Sequence, residues 1–365
     1  MKKVLIVFNH PAPYKVALFN ELSKYVGLTV IFERGKERDR PNNFYFEKEY
    51  KFKTVHIKGI PLGNMNIISS GVKNHIKHNK YDLIIMNGYR QLAELKAIKY
   101  LKKHKIPYVL YINGGIIKTN ESKFIQRIKT KYISGASYYM SPDKESNKYL
   151  VYYGANSEKI YNYPYATIRE SDVLEKKLSD EEKLILRKKH NIVASKVFVS
   201  CGQFIPRKNY FELIEKWKSL PSDYVLLLIG DGEEKKKYLN FIKKNNLNNI
   251  KLLGFLPRKE IFEYYQLSDA FIFPSKEDIY GHVINEAMSQ GLPIISTPNV
   301  NAAKHLIKDG KNGYIVPSIS SKEFSNALSK ITDDDTFDNC IKEAKENTLE
   351  KMAEVHHKIF EEITK

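Results

Sequence analysis

"FIFPSKEDIYGHVINEAMSQGLPII", residues 271–295, holds a complete strand–helix–strand pattern. Phe271–Phe273 is a short apolar run that Pro274 ends. A helical period starts near Gly281 and passes through Val283, Ile284, Ala287 and Met288 until Gly291 and Pro293 stop it. A second apolar run follows at 292–296. Both runs are continuous rather than alternating, as strands buried on two faces are. Two acids, Asp278 and Glu286, sit eight positions apart around the start of this helix.

The same alternation recurs outward from this stretch. Apolar runs stand at 4–8 (VLIVF), 28–32 (LTVIF), 81–86 (YDLIIM), 108–112 (YVLYI) and 137–140 (SYYM). Others follow at 196–200, 224–230, 250–255 and 270–274. Helix-patterned stretches lie between them, among them 15–26, 210–220 and 260–268. Two blocks of alternating strands and helices predict two doubly wound α/β domains. A chain of 365 residues is comfortable for two. The pattern breaks at 161–170 (YNYPYATIRE), which predicts domains at 1–165 and 166–340. Residues 341–365 read as part of a single long polar helix that begins near Cys340 and packs back on the first domain.

Composition narrows the function classes. No apolar run approaches the ~20 residues of a membrane span. The apolar stretch Val4–Phe8 is too short for an export signal, so the expectation is a cytoplasmic protein. Two cysteines, Cys201 and Cys340, make no disulfide framework. The net charge is +18 but uneven: residues 1–165 hold 29 Lys+Arg and 12 Asp+Glu, and residues 166–365 hold 31 and 30. A basic first half beside a neutral second half predicts that the first half faces something anionic.

The loops of the second half carry chemistry. In "SCGQFIPRKNYFELI" (200–214) a strand leads through Gly202 to Arg207 and Lys208 and into a helix. Adjacent cations at such a turn suit phosphate, one as a planar fork and one as a point charge. "LLLIGDGEEKKKYL" (227–240) brings Gly230 and Gly232 to a second strand end, and "IKLLGFLPRKEIFEYY" (250–265) brings Gly254 and Phe255 to a third. Gly281, His282 and Val283 begin the helix of 271–295, and a helix N-terminus binds phosphate. Carboxylates accept hydrogen bonds from sugar diols, so Asp278 and Glu286 on either side of that helix end fit two sugars flanking a diphosphate.

In order and spacing, "CGQFIPRKN", "LIGDGEE", "LLGFLP", "FIFPSKEDIYGHVINEAMSQGLPII" and "DGKNGYIVP" resemble the donor-binding domain of glycosyltransferase family 4. The resemblance covers residues 196–317 and implies the GT-B fold, two Rossmann-like domains facing a central cleft. It implies a retaining, metal-independent enzyme with no cofactor and a UDP-, GDP- or dTDP-sugar as donor. The acceptor is then a lipid-linked saccharide or polysaccharide of the bacterial cell surface. By resemblance, Arg207 and Lys208 hold the diphosphate and the backbone of Gly281, His282 and Val283 caps it. Glu286 takes the ribose, Asp278 contacts the transferred sugar, and Phe255, with Gly202, Gly230, Gly232 and Gly254, borders the nucleoside. Asn113, in "YINGGII", stands nearest to the position where some members carry a histidine at the reacting centre; with Asp278 and Glu286 it completes the catalytic candidates. His10, Tyr14, Gly114 and Gly115 are the acceptor-side candidates.

Some positions depart from the family. The usual Glu is Asp278, with Glu277 one position off, and the usual Arg after the first-loop Gly is Gln203. Asn113 can orient a hydroxyl but cannot act as a base. An epimerase or an inactive relative of the same fold is the alternative. A nucleic-acid-binding protein is disfavoured, because the phosphate loops lie in the neutral half. "TDDDTFD" (332–338) has an Asp-x-Asp but no preceding apolar strand, so it reads as a solvated turn. For an anionic membrane partner on an inner leaflet, the candidate surface is "ESKFIQRIKTKYI" (121–133). There Phe124, Ile125, Ile128 and Tyr132 share one helical face, and Lys123, Arg127 and Lys131 share another.

Overall fold

The computed structural model describes all residues except 36–48, 63–65, 119 and 332–335. It divides into two compact units, residues 1–165 with 349–365 and residues 166–348.

The first unit holds a seven-stranded sheet in the order β3-β2-β1-β6-β7-β8-β9. Its strands are β1 (Lys3–Phe8), β2 (Gly27–Phe32), β3 (Lys53–His56), β6 (Leu83–Asn87), β7 (Val109–Tyr111), β8 (Tyr138–Ser141) and β9 (Ile160–Asn162). All pair in parallel, and a separate antiparallel hairpin joins β4 (Ile60–Leu62) to β5 (Asn66–Ile68). The helices are α1 (Pro13–Leu22), α2 (Gly71–His78), α3 (Leu92–Lys103), α4 (Lys123–Ile133) and α5 (Lys144–Tyr152). Val4 to Phe8 are all buried, as a central strand covered on both faces requires.

The second unit starts at residue 166 with a segment that holds a single 3₁₀ turn, Glu170–Asp172, and continues through α6 (Asp180–Lys189), β10 (Lys196–Cys201), α7 (Tyr210–Trp217), β11 (Tyr224–Ile229), α8 (Lys235–Lys244), β12 (Ile250–Gly254), α9 (Arg258–Leu267) and β13 (Ala270–Phe273). There follow α10 (His282–Ser289), β14 (Ile294–Ser296), α11 (Asn301–Leu306), β15 (Gly313–Ile315), α12 (Lys322–Lys330) and α13 (Thr336–Lys345). The sheet is parallel in the order β12-β11-β10-β13-β14-β15. Phe198, Phe204, Tyr210, Trp217 and Tyr238 fill one side of it.

The C-terminal stretch differs from the sequence reading. It forms two helices, α13 in the second unit and α14 (Leu349–Ile363) in the first, where α14 packs on α1. The break comes at Asn347, whose side chain donates to the Glu343 carbonyl at 2.9 Å while its own carbonyl accepts from Asn285 at 2.7 Å. Such a side chain competes with the helical ladder and ends it. The strands β3, β9 and β15, each of three or four residues, carry no apolar run of their own in the sequence, and β9 falls at the start of the stretch that marks the domain boundary. Short edge strands carry too little apolar pattern to stand out. The Asp-x-Asp of 332–338, Asp333 and Asp335, lies outside the described residues.

Candidate active site of the second unit

The strand order of the second unit reverses between β10 and β13. In a doubly wound sheet, ligands bind beyond the carboxyl ends of the strands at that point. The loops that leave these two strands run side by side. Lys276 N–H donates to the Arg207 carbonyl at 2.8 Å, and Ser275 Oγ donates to the same oxygen at 3.1 Å. Chain reversal therefore brings Arg207 and Lys208 to Asp278 across 70 residues of sequence.

Lys208 ends a single 3₁₀ turn, Pro206–Lys208, and is only 8 % exposed. Its Nζ forms an ion pair with Asp278 Oδ2 and lies 4.5 Å from the centroid of the Phe273 ring. Arg207 is exposed; its Nη1 lies 3.5 Å from the same Oδ2 and donates to the Glu277 carbonyl at 3.1 Å. Burial pushes the Lys208 ammonium below its ordinary pKa, and Asp278 works against that shift. The carboxylate read as a sugar ligand is thus also the counter-ion of the two cations read as phosphate ligands. Glu277, the neighbouring acid, is exposed and contributes its carbonyl.

Gly281 caps α10 in a left-handed conformation, φ 104°. A Cβ there would stand 2.9 Å from Val300 Cγ1, so the conformation and the packing both call for glycine. His282 and Val283, both half-buried, open the first turn of α10, where the helix dipole presents its positive end. Glu286 stands on α10 just past that turn. Thr167 Oγ1 donates to its Oε1 at 3.0 Å. Burial pushes the Glu286 carboxyl above its ordinary pKa; Arg258 and the Thr167 hydroxyl pull it back, and Asp172 adds to the rise. Cys201, at the end of β10, is pushed up to about 12, mainly by burial and further by Glu286.

The glycine loops pack backbone on backbone. Gly202 N–H donates to the Ile229 carbonyl at 2.9 Å, and Gly230 N–H donates to the Gly254 carbonyl at 2.8 Å. A Cβ on Gly230 would lie 1.9 Å from the Gly202 oxygen, which no side chain tolerates. Gly232 sits against the Phe204 backbone in the same way. Beyond Gly254, Phe255 is 79 % exposed, a large apolar face beside these loops.

The first-unit candidates gather at the corresponding edge of their own sheet. Its order reverses between β1 and β6. His10 follows β1 and is buried, with Tyr14 in the second position of α1. Asn113 follows β7 and donates from Nδ2 to Asn87 Oδ1, at the end of β6, at 3.0 Å. Gly114 and Gly115 continue that loop, and a Cβ on Gly115 would collide with the Tyr149 ring. Tyr14 neighbours Lys15, a fully buried lysine whose Nζ lies over the rings of Tyr111 and Tyr165 at 4.9 and 4.6 Å.

Sequence reasoning passed over Phe273, Thr167 and Arg258. Arg258 was within reach: it follows Pro257 at the head of α9, one more cation beside a strand end. Thr167 was not, since no periodicity marks its segment.

Residues 182–348 match a family described as glycosyl transferases group 1. An uncharacterized glycosyltransferase of Methanocaldococcus jannaschii is 26 % identical over 349 residues, 88 % of each chain. The UDP-Gal:alpha-D-GlcNAc-diphosphoundecaprenol alpha-1,3-galactosyltransferase of Escherichia coli is 34 % identical over 162 residues, 42 % of this chain and 40 % of that protein. Among solved structures, Anabaena HepE in complex with UDP aligns over 100 % of this chain and 99 % of its own with a TM-score of 0.78 at 18 % identity, a likeness of fold.

Proposed function

We propose that this chain, whose residues 182–348 match group 1 glycosyl transferases, is a glycosyltransferase that transfers a sugar, with retention, from a nucleoside diphosphate to a lipid-linked saccharide or polysaccharide at an anionic membrane surface. The observation that carries the donor half is the meeting of Lys208, Arg207 and Asp278 beside the N-terminus of α10 at the sheet's reversal point. Cleavage of the bond between the anomeric carbon and the phosphate oxygen leaves negative charge on the diphosphate. Lys208, Arg207 and the positive end of α10 stabilise that charge as it develops, in a partly dry setting where each contact counts for more than in water. Asp278 stays within reach of the transferred sugar and its positive anomeric centre. Glu286 accepts from the ribose diol.

These cations supply the neutralisation that a divalent ion gives in Asp-x-Asp enzymes. Turnover of UDP-, GDP- and dTDP-sugars with a lipid-linked acceptor should therefore persist in excess EDTA. Loss of activity in EDTA that Mn²⁺ restores would overturn the metal-independent reading.

The membrane half rests on α4. Phe124 is 73 % exposed, and Ile125 and Ile128 are exposed with it. Tyr132, read on the same face, is instead buried in the core under α4, so the apolar surface covers only the first turns of the helix. Val151 and Tyr152 at the end of α5 extend it, with Gln126 Nε2 donating to Tyr152 Oη at 3.2 Å. Lys118, Lys123, Arg127 and Lys131 are exposed around it. Exposed apolar side chains ringed by cations match an anionic headgroup layer, each cation contributing ~1 kcal/mol. Among the described residues no helix is long and apolar enough to cross a membrane. The chain should sediment with vesicles containing phosphatidylglycerol, less so as salt rises. The triple change Lys123→Glu, Arg127→Glu, Lys131→Glu should weaken binding roughly 100-fold, as a loss of ~1 kcal/mol at each of three sites implies. Equal binding to neutral vesicles, or none to either, would refute this surface.

A further inference from the structure

We infer that Thr167 is a positioning residue for the donor: its hydroxyl fixes and orients the Glu286 carboxylate that receives the ribose, and Arg258 holds Thr167 in place. The inference rests on the reading of Glu286 as the ribose ligand.

The segment 166–174 is the first of the second unit, and it lies as a strap across α9 and α10. Ala166 and Ile168 are buried on either side of Thr167. Arg258, from the head of α9, donates through Nη1 to the Thr167 carbonyl at 3.2 Å and through Nη2 to Asp172 Oδ2 at 2.9 Å. Asp172 Oδ2 also accepts from Arg169 N–H at 2.7 Å. At the far end of α10, Gln290 Nε2 donates to the Asp172 carbonyl at 2.7 Å, and Leu174 N–H donates to the Ser289 carbonyl at 2.9 Å. Five bonds thus tie or brace a short irregular segment against the two helices whose starts face the site. The product of that tethering is a side-chain contact into it, Thr167 Oγ1 to Glu286 Oε1 at 3.0 Å.

The stereochemistry suits a bidentate task. A carboxylate has about four acceptor positions, and a vicinal diol uses two of them. Thr167 occupies one on Oε1, which leaves Oε2 and the second position of Oε1 for the diol. The bond selects one rotamer of Glu286 before the ligand arrives, so less ordering remains to be done on binding. It also favours the ionised form, the one able to accept from both hydroxyls. Glu286 lies among Arg258 and Tyr265 from α9, Asp172 from the strap and Cys201 from the end of β10. Burial raises its pKa; Arg258 and Thr167 lower it. Ligand binding is then lost as pH falls through that raised value, and removing the hydroxyl moves the loss to higher pH.

Calorimetric titration of the intact chain with UDP, with GDP and dTDP alongside, tests this between pH 4.5 and 8. Thr167→Val should bind the nucleotide at least about tenfold more weakly at neutral pH, as loss of a bond to a charged group implies. Its binding should fall off at higher pH than that of the natural chain. Thr167→Ser should restore both, since it returns the hydroxyl. Arg258→Gln should shift the acid limb the same way. If Glu286→Gln weakens binding while Thr167→Val keeps the natural affinity and pH profile, the positioning role is wrong and the ribose reading stands. If Glu286→Gln binds as tightly as the natural chain, the ribose reading fails and this inference fails with it.

Discussion

Replacing Lys208 with alanine should lower kcat/KM for the sugar nucleotide roughly 30- to 900-fold, the equivalent of about 2–4 kcal/mol for one charge-assisted contact in a closed site. Three features make the effect large. The ammonium is almost fully buried, it stands over Phe273, and its removal leaves Asp278 without its main counter-ion. Arg207 holds the same carboxylate from an exposed position. Its replacement by alanine should cost less, about tenfold, because solvent screens an exposed pair. Steady-state kinetics on both variants, with a melting curve to confirm folding, checks the ranking. Equal, small losses would show that the cations serve the fold alone.

Asp278→Asn should separate binding from turnover. The change removes an anion from a site meant for an anion, so the affinity for bare nucleoside diphosphate should hold or tighten. Lys208 and Arg207 then meet the phosphates without first giving up Asp278. The rate should fall about 100-fold, since a carboxylate facing a developing positive centre is worth ~2–3 kcal/mol in such settings. Titration of the nucleotide beside single-turnover measurement of sugar transfer distinguishes the two. A nucleotide affinity tenfold weaker at unchanged turnover would make Asp278 a clamp for Lys208 and nothing more.

The legible parts of this chain are those whose cause is local. The order strand, loop, helix, strand in 271–295 can be read because Pro274, Gly281, Gly291 and Pro293 punctuate an apolar pattern within one short stretch. The pairing of Lys208 with Asp278 cannot be read in the same way. It depends on β10 lying beside β13, with β11 and β12 placed on the other side of β10. Thr167 stayed hidden for a related reason: its partners, on α9 and α10, come about 90 and 120 residues later. The amphipathic pattern of α4 marks which residues are apolar but not which find a partner. Tyr132 reaches the core packed around β6 and α3, whereas Phe124, two turns earlier, does not. The helix break at Asn347 is hidden as well, because asparagine ends a helix only where its side chain and carbonyl find partners, here Glu343 and Asn285.

The central claim is that the strand ends of the second unit, around Lys208 and the N-terminus of α10, hold a nucleoside diphosphate. Hydrogen–deuterium exchange of the intact chain tests it most directly, with and without whichever of UDP, GDP and dTDP raises its melting temperature most. The expected result is slower exchange in 202–209, 230–234 and 278–286, the segments that carry Lys208, Gly230 and Glu286. Bound nucleotide that slows exchange elsewhere and leaves these three segments unchanged, or a chain that none of the three nucleotides stabilises, would contradict it.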